Sequence, residues 1–223
     1  MERSRLSRYW ATRSTQAYAA LLFLGLVITF PDVAKAGTLA ACSSNAVTKY
    51  GRFDGPIRIE LLPDGRLARL IDPVRYTDPC GGVWLSPAGA TIDGASIPKM
   101  VWSIVGGPFE GKYRDASVIH DIACAEHSRP WQAVHEVFYF AMLASGTPDW
   151  QAKVMYAAVY HFGPRWKDPK THAEPPKSTL SQEDFQALVE AIRVRENGLG
   201  VADLPPMSLS EIESWPAAST PKS

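Results

Sequence analysis

Two short stretches decide the fold of this chain: Asp-Gly-Ala-Ser-Ile-Pro at residues 93–98 and Val-Ile-His-Asp-Ile-Ala-Cys at residues 118–124. The first has a glycine at its second position and a proline at its end, which is typical of a loop. In the second, His120, Ala123 and Cys124 fall on one helical stripe of small or polar side chains. The two stretches together predict that reactive side chains lie beside a packed core.

The residues before the loop have a strand pattern. Ile57 to Leu61 alternates apolar and polar residues, and residues 67–76 form a return strand after a Pro-Asp-Gly turn. A second turn at residues 79–82 precedes a further short apolar run. We therefore predict a small antiparallel sheet of two to four strands, which must pack on the helices that follow.

Three helices are predicted after the loop. The first spans about residues 111–125, the second begins at a Ser128 cap and ends near Ala144, and the third begins at a Thr147 cap and ends at Phe162. A proline lies in the first turn after each of these two caps. The connection after the first helix is short, so the first two helices form an antiparallel hairpin. The predicted class is α+β: a small antiparallel sheet, a three-helix segment with a hairpin, and a C-terminal helical extension.

The C-terminal part divides into three segments. Residues 167–180 are polar and proline-rich and form a linker. Ser181 caps a helix over residues 181–198, whose single apolar stripe predicts docking onto the domain or onto a protein partner. Residues 199–223 form a mostly disordered tail with one short helix.

The N-terminus has the pattern of an export signal. Four arginines precede an uncharged apolar run, and Ala34-Lys35-Ala36 supplies the small residues that a signal peptidase reads. The run is shorter than the roughly 20 residues of a membrane-spanning helix. We therefore interpret residues 1–36 as a signal peptide, residues 37–56 as a lead-in and residues 57–166 as the core of a periplasmic or secreted protein.

The cysteines leave two possibilities open. Residues 39–42 also fit a lipobox, in which Cys42 is acylated and anchors the protein to the envelope, and Cys80 and Cys124 can then pair. If cleavage falls before Gly37, the favoured bridge is Cys42 to Cys80, with Cys124 as a buried thiol. Membrane contact is expected only if Cys42 is lipidated.

The charge balance argues against nucleic acid as a partner. The chain has 23 basic and 23 acidic residues, and removal of residues 1–36 leaves a small net negative charge. A nucleic-acid-binding domain needs a basic face. An envelope component, or a protein bound through the 181–198 helix, is the expected partner.

The candidate catalytic residues are His120, Asp121, Asp93 and Ser96. A neutral imidazole can accept a proton near neutral pH, and an adjacent carboxylate can hold a cation or orient the ring. The Ser96 hydroxyl can alternatively fix its own loop by bonding the backbone.

A divalent metal ion is the cofactor that this pattern allows. If the helices form a hairpin, the second helix brings His135 and Glu136 to the seam that contains His120 and Asp121, so these four residues are the candidate ligands. The alternative is that each histidine is a core residue and that Asp121 pairs with Arg114 or caps a helix.

At these same residues the chain resembles a bacterial and phage family catalogued as domain of unknown function 1353, over roughly residues 57–166. The resemblance rests on residues 91–98, on Trp102 and the Gly-Pro-Phe segment, on Tyr113, Ala116 and His120-Asp121, on Phe138, and on residues 156–163. The family implies no activity. It has an acid where this chain has His135, and this difference implies a softer metal or a site without one.

Two functions are compatible with these observations. One is an exported hydrolase in which His120 is the base, Asp121 and Asp93 hold a cation or orient the ring, and the substrate is an envelope component such as a lipid or a peptidoglycan fragment. The other is a non-catalytic envelope or phage-tail-associated structural or binding module, in which the same residues fix the loop at Asp93. An exposed His120 ring favours the enzyme, and a buried ring favours the module.

Overall fold

Strands precede helices in this chain, which confirms the α+β class. The computed structural model describes Leu39, Cys42 and residues 48–65, 67–94, 101–107, 111–197 and 205–215. The strands are β1 (Arg52–Phe53), β2 (Ile59–Leu61), β3 (Ala68–Leu70), β4 (Val74–Thr77), β5 (Val83–Ser86) and β6 (Thr91–Ile92). The helices are α1 (Trp102–Val105), α2 (Arg114–Glu126), α3 (Trp131–Ala144), α4 (Asp149–Phe162), α5 (Gln182–Glu196) and α6 (Leu209–Glu213).

The strands form two antiparallel sheets of three strands each, in the orders β1-β4-β5 and β2-β3-β6. Each sheet directs alternate side chains inward, such as Tyr76 of β4 and Leu70 of β3, which are almost fully buried. The sheets are small, and β4, β5 and β6 all pack against α2. The core is therefore shared between the sheets and the helices, as the strand lengths require.

The single return strand predicted over residues 67–76 is wrong, because the chain breaks at Asp72 and Pro73. Residues before the break belong to β3 and residues after it belong to β4, in a different sheet. Proline has no backbone N–H to donate, so it interrupts a ladder within a sheet. The same break lets β4 pair with β1, which lies in the residues assigned to the lead-in.

The helices α2 and α3 form the predicted hairpin and contact each other along their lengths. His127 ends α2 in the left-handed conformation, with φ of 53°, and its ring stacks on Trp166 at a centroid distance of 4.5 Å. The buried face of α2 includes Ala116, Ser117 and His120. Small side chains on this face allow α3 to approach the His120 ring.

Two of the predicted helix caps are wrong. The N-cap positions of α3 and α4 are Pro130 and Pro148, with ψ of 137° and 141°, and neither Ser128 nor Thr147 caps its helix. Each proline occupies the extended residue before the helix instead of the first turn. The Ser181 cap of α5 is confirmed, since its side chain accepts a hydrogen bond from the Asp184 backbone N–H.

The apolar stripe of α5 docks onto the domain. Phe185, Leu188, Val189 and Ile192 are buried, and α5 packs against α4. In the segment from residue 205 to residue 215, Met207 and Ile212 are also buried, and α6 begins with a capping box at Ser208. The rest of the predicted tail lies outside the described residues.

A disulfide joins Cys42 to Cys80, and Cys124 is a free thiol. This is the pairing that the sequence links to cleavage before Gly37. The predicted signal peptide itself lies outside the described residues. Among the helices that the structure does describe, none has the length and apolar character needed to cross a bilayer.

Candidate functional site

Two buried histidines meet between α2 and α3. The His120 and His135 side chains have no exposed surface, and His120 Nε2 lies 2.9 Å from His135 Nδ1. His135 Nε2 lies 3.1 Å from the carbonyl oxygen of Pro164. A carbonyl only accepts, so His135 Nε2 carries the hydrogen, and His120 Nε2 then donates to the unprotonated His135 Nδ1. The hairpin thus brings together the two histidines that the sequence placed at one seam.

Cys124 completes this group one helical turn after His120. Its Sγ lies 3.6 Å from His120 Nε2 and 3.8 Å from His120 Nδ1, and the side chain is partly exposed. One possible ligand atom from each of His120, Cys124 and His135 lies within 4.8 Å of the others. We refer to these three residues as the His-His-Cys cluster.

Aromatic rings surround the His-His-Cys cluster. The centroid of the Phe138 ring lies 4.7 Å from that of His120, and the centroid of the Trp131 ring lies 5.6 Å from that of His135. In these surroundings a charged imidazole loses hydration, so burial lowers the pKa of His120 well below its usual value. The pKa of His135 falls to about 4, mainly for the same reason.

The thiol of Cys124 is also held in its uncharged form. Burial, followed by the nearby charges of Asp121 and Asp93, raises its pKa to about 12. A nucleophilic cysteine needs the opposite environment, in which the thiolate is stabilised. The His-His-Cys cluster is therefore electrically neutral when nothing is bound to it.

Asp121 holds the loop that follows β6. Its Oδ2 accepts hydrogen bonds from the backbone N–H groups of Asp93 at 3.0 Å and Gly94 at 2.9 Å. Gly94 has φ of 91°, a conformation that favours glycine. The Asp121 carboxylate thus binds the loop backbone, and Asp93 lies close to Asp121 because of these two bonds.

The predicted ligands Glu136 and Asp121 do not belong to the His-His-Cys cluster. Glu136 follows His135 on α3. Burial, and then the Glu213 carboxylate, raise the pKa of the Tyr156 phenol on α4, and the charge of Glu136 makes a smaller contribution. Neither Glu136 nor Asp121 contributes a ligand atom to the His-His-Cys cluster. Ser96 lies outside the described residues. The structure therefore brings together His120 and His135 from the predicted ligand set and adds Cys124, which the sequence placed on the same stripe as His120.

Two cavities are lined by residues outside the His-His-Cys cluster. One, of about 280 Å³, lies between β5 and the hairpin turn, where Arg129 stacks over Trp84 at 3.9 Å and donates to the Val83 carbonyl at 2.7 Å. The other, of about 350 Å³, lies between the end of α4, residues 176–179 and residues 213–215. We call it the aromatic cavity, because Trp131, Tyr160 and Trp215 line it together with Arg165 and Lys177.

Two bacterial relatives are similar to this chain. Uncharacterized protein y4jT of Sinorhizobium fredii (strain NBRC 101917 / NGR234) is 46% identical over 125 residues, which is 55% of this chain and 37% of that protein. Uncharacterized protein y4iH of the same strain is 39% identical over 137 residues, which is 60% of this chain and 56% of that protein. The matched part therefore spans between about a third and somewhat over half of each relative.

A comparison with solved structures found no significant match. The profile of the family described as "Protein of unknown function (DUF1353)" matches residues 68–159. The matched residues contain β3 to β6 and α1 to α3, the loop held by Asp121, and all three members of the His-His-Cys cluster. Over residues 68–159, which form the site, the chain is therefore similar to the DUF1353 family, and the resemblance expected from the sequence is confirmed.

Proposed function

We propose that this protein is an exported envelope protein whose core is a non-catalytic binding module. The observation that carries the proposal is the complete burial of the His120 ring, whose Nε2 bonds His135. A general base must reach its substrate proton directly or through one water molecule. A ring without exposed surface is suited to holding two helices together.

The role of Asp121 supports the same proposal. The hydrolase alternative needs this carboxylate to hold a cation or to orient His120, but its Oδ2 already accepts two backbone N–H groups at Asp93 and Gly94. Carboxylates that accept backbone N–H groups stabilise loops. Asp121 thus acts as the residue that fixes the loop, which is the arrangement expected of a structural module.

The Cys42–Cys80 disulfide supports export, because disulfides persist in oxidising compartments. It also favours cleavage before Gly37 over lipidation, since a lipid anchor would use the same Sγ of Cys42 that the bridge uses. Mass spectrometry of the mature protein tests this step. A chain that begins at Gly37 is expected, and an acylated Cys42 at the N-terminus would contradict it.

The aromatic cavity is the surface that we assign to the envelope ligand. Tyr160 and Trp215, which are partly exposed, offer ring surface for the apolar side of a sugar. Lys177 lines the same cavity, is exposed and can pair with a carboxylate. Arg165 adds positive charge there, although its two terminal nitrogens already donate to the Tyr160 and Pro176 carbonyls, and Glu213 is the carboxylate of the lining. A peptidoglycan fragment combines sugar rings with carboxylates, so it fits this lining better than a neutral lipid does.

Binding is tested by fluorescence titration of the full chain with soluble peptidoglycan fragments. Trp215→Ala should weaken binding, because Trp215 lines the aromatic cavity and is only partly buried. Trp84→Phe, at the other cavity, is the matched control and should bind normally. Release of cleavage products that depends on His120 would overturn the non-catalytic proposal.

A further inference from the structure

The His-His-Cys cluster has a chemical composition that hydrogen bonding alone does not require. It combines two imidazoles and a thiol, and its members come from two helices. We propose that this cluster is a zinc site, in which His120 Nε2, His135 Nδ1 and Cys124 Sγ bind one Zn²⁺ ion.

Two separations can be compared with the geometry of this ion, and the ligand atoms of all three residues lie within 4.8 Å of one another. Zinc binds nitrogen at about 2.0 Å and sulfur at about 2.3 Å, so tetrahedral angles separate two nitrogens by about 3.3 Å and a nitrogen from the sulfur by about 3.5 Å. The observed separations are 2.9 Å between His120 Nε2 and His135 Nδ1, and 3.6 Å between Cys124 Sγ and His120 Nε2. The two rings need to separate by only a few tenths of an ångström.

The outer contact of His135 also fits a ligand. Its Nε2 donates to the Pro164 carbonyl, which leaves the Nδ1 lone pair directed at His120. Metal-binding histidines usually donate their second ring N–H to a carbonyl or carboxylate, and this bond fixes the tautomer and the ring orientation. The Pro164 carbonyl therefore prepares His135 Nδ1 for a metal ion.

Loss of the Cys124 proton partly neutralises the bound ion. The hydrogen of His120 moves from Nε2 to Nδ1, and the Cys124 thiol loses its proton to solvent, so Zn²⁺ with one thiolate and two neutral imidazoles carries a net charge of +1. The carboxylates of Asp121 and Asp93 lie close enough to Cys124 to affect its thiol. They lower the cost of this charge inside the protein.

The types of ligand atom indicate which metal ions the cluster can bind. A thiolate and two imidazoles suit zinc and other soft or borderline ions, whereas calcium and magnesium require oxygen ligands. The partly exposed side of Cys124 gives the ion a route from solvent and a position for a water ligand. The ion would join α2 to α3, and through the His135 contact with Pro164 it would also hold the chain after α4.

The direct test uses Co²⁺ as a spectroscopic substitute in the untagged full chain with its disulfide intact. A thiolate bound to tetrahedral Co²⁺ gives an intense charge-transfer absorption, which we expect in the native chain and not in Cys124→Ser. His161→Gln is the matched control, because His161 is also buried and contacts a backbone carbonyl, at Ile212, outside the cluster. This control should keep the absorption.

Zinc affinity provides the quantitative test. Cys124→Ser should weaken Zn²⁺ binding at least about tenfold, and Zn²⁺ should raise the melting temperature of the native chain while Ca²⁺ should not. The absence of both the cobalt absorption and the zinc shift would show that the two histidines form only a hydrogen bond. An absorption that persists in Cys124→Ser would equally overturn the assignment.

A third measurement needs no variant. Cys42 and Cys80 are joined, so Cys124 is the free thiol of the chain. Zn²⁺ should slow the alkylation of Cys124 in the native protein, because the bound ion withdraws electron density from the sulfur and shields it from the reagent. Alkylation at an unchanged rate in saturating Zn²⁺ would contradict the site even if the variants fail to fold.

Discussion

Two of the places at which the described residues bury polar side chains differ in charge. At the seam between α2 and α3, the His-His-Cys cluster is neutral because burial disfavours the charged imidazoles and the thiolate. At the junction of α4 with α5 and α6, Lys153 Nζ of α4 lies 2.5 Å from Glu196 Oε1 of α5, and both side chains are less than a tenth exposed. At the junction, the two opposite charges neutralise each other. At the seam, the side chains are uncharged, and their nitrogen and sulfur lone pairs can bind a cation.

The histidines of the two places make the difference clear. His135 and His161 both place Nε2 within hydrogen-bonding distance of a backbone carbonyl, at 3.1 Å from Pro164 and 2.9 Å from Ile212. Only His135 belongs to a ligand cluster among the described residues. Burial and one backbone contact are therefore not enough to indicate a metal ligand. The distinguishing feature is whether the second ring nitrogen faces another possible ligand.

The largest loss of stability is expected when the buried ion pair at the junction is removed. Lys153→Ala leaves the buried Glu196 carboxylate without its cation and should lower the free energy of unfolding by about 3–5 kcal/mol. Urea denaturation measures this loss. Lys167→Ala removes an exposed pair with Glu174 and should cost less than about 1 kcal/mol, so equal losses in the two variants would contradict the contrast.

The next effect concerns acid and the metal-free seam. The pKa of His135 is about 4 in the folded state and about 6.5 in an unfolded chain, so below pH 6.5 the unfolded state binds a proton that the folded state does not. Stability is therefore complete above pH 6.5 and falls as the pH drops toward 4, by roughly 3 kcal/mol from this residue. His120 acts in the same direction.

Denaturation at several pH values with a chelator present measures this dependence. His161 also has a pKa lowered by burial and contributes to the slope. For that reason His135→Gln and His161→Gln are compared separately. A slope that His135→Gln leaves unchanged would show that the seam does not respond to acid in this range.

A smaller effect is expected from the hydroxyl that links α4 to α6. Tyr156→Phe removes a 2.7 Å hydrogen bond to the Glu213 carboxylate and should cost about 1–2 kcal/mol. Hydrogen exchange should show the loss of protection at α6. Equal loss at α2 would mean that the junction and the seam unfold together.

The smallest loss of stability is expected when the capping box of α6 is removed. Ser208→Ala removes the capping box at the start of α6 and should cost about 0.5–1 kcal/mol. Exchange should increase over residues 205–215 while Zn²⁺ binding at the seam stays unchanged. A change in zinc affinity in this variant would connect two regions that we treat as separate.

Helix starts were predictable where the capping chemistry is local. The spacing of Ser181 and Asp184 predicts the α5 cap, and the Ser181 side chain accepts from the Asp184 backbone as expected. The starts of α3 and α4 were placed too early, because Pro130 and Pro148 occupy the cap position themselves. Either the polar residue or the proline that follows it can occupy the N-cap position. The sequence does not show which of the two does.

Strand pairing was less predictable because it is not local. The strands before the helices were expected, but the division of residues 67–76 between two sheets depends on Pro73 and on the pairing of β4 with β1, far earlier in the chain. Alternation shows which residues face inward and gives no information about the partner strand.

The site was predictable in part for the same reason. The hairpin follows from a short connection, so the meeting of His120 and His135 could be inferred from two neighbouring helices. Cys124 shares the helical stripe of His120, and this spacing is the sequence signal for it, although the predicted ligand set does not include it. The Pro164 carbonyl lies beyond a third helix, and no local pattern indicates that it contacts His135.

The odd number of cysteines has a consequence for thiol–disulfide exchange. A thiol attacks a disulfide only as the thiolate, and Cys124, with its pKa raised to about 12, supplies almost none near neutral pH. Once the domain has folded, the unpaired thiol cannot shuffle the Cys42–Cys80 bridge at an appreciable rate. The bridge and the free thiol can therefore coexist in one oxidising compartment, and errors of pairing are confined to the period before α2 packs against α3.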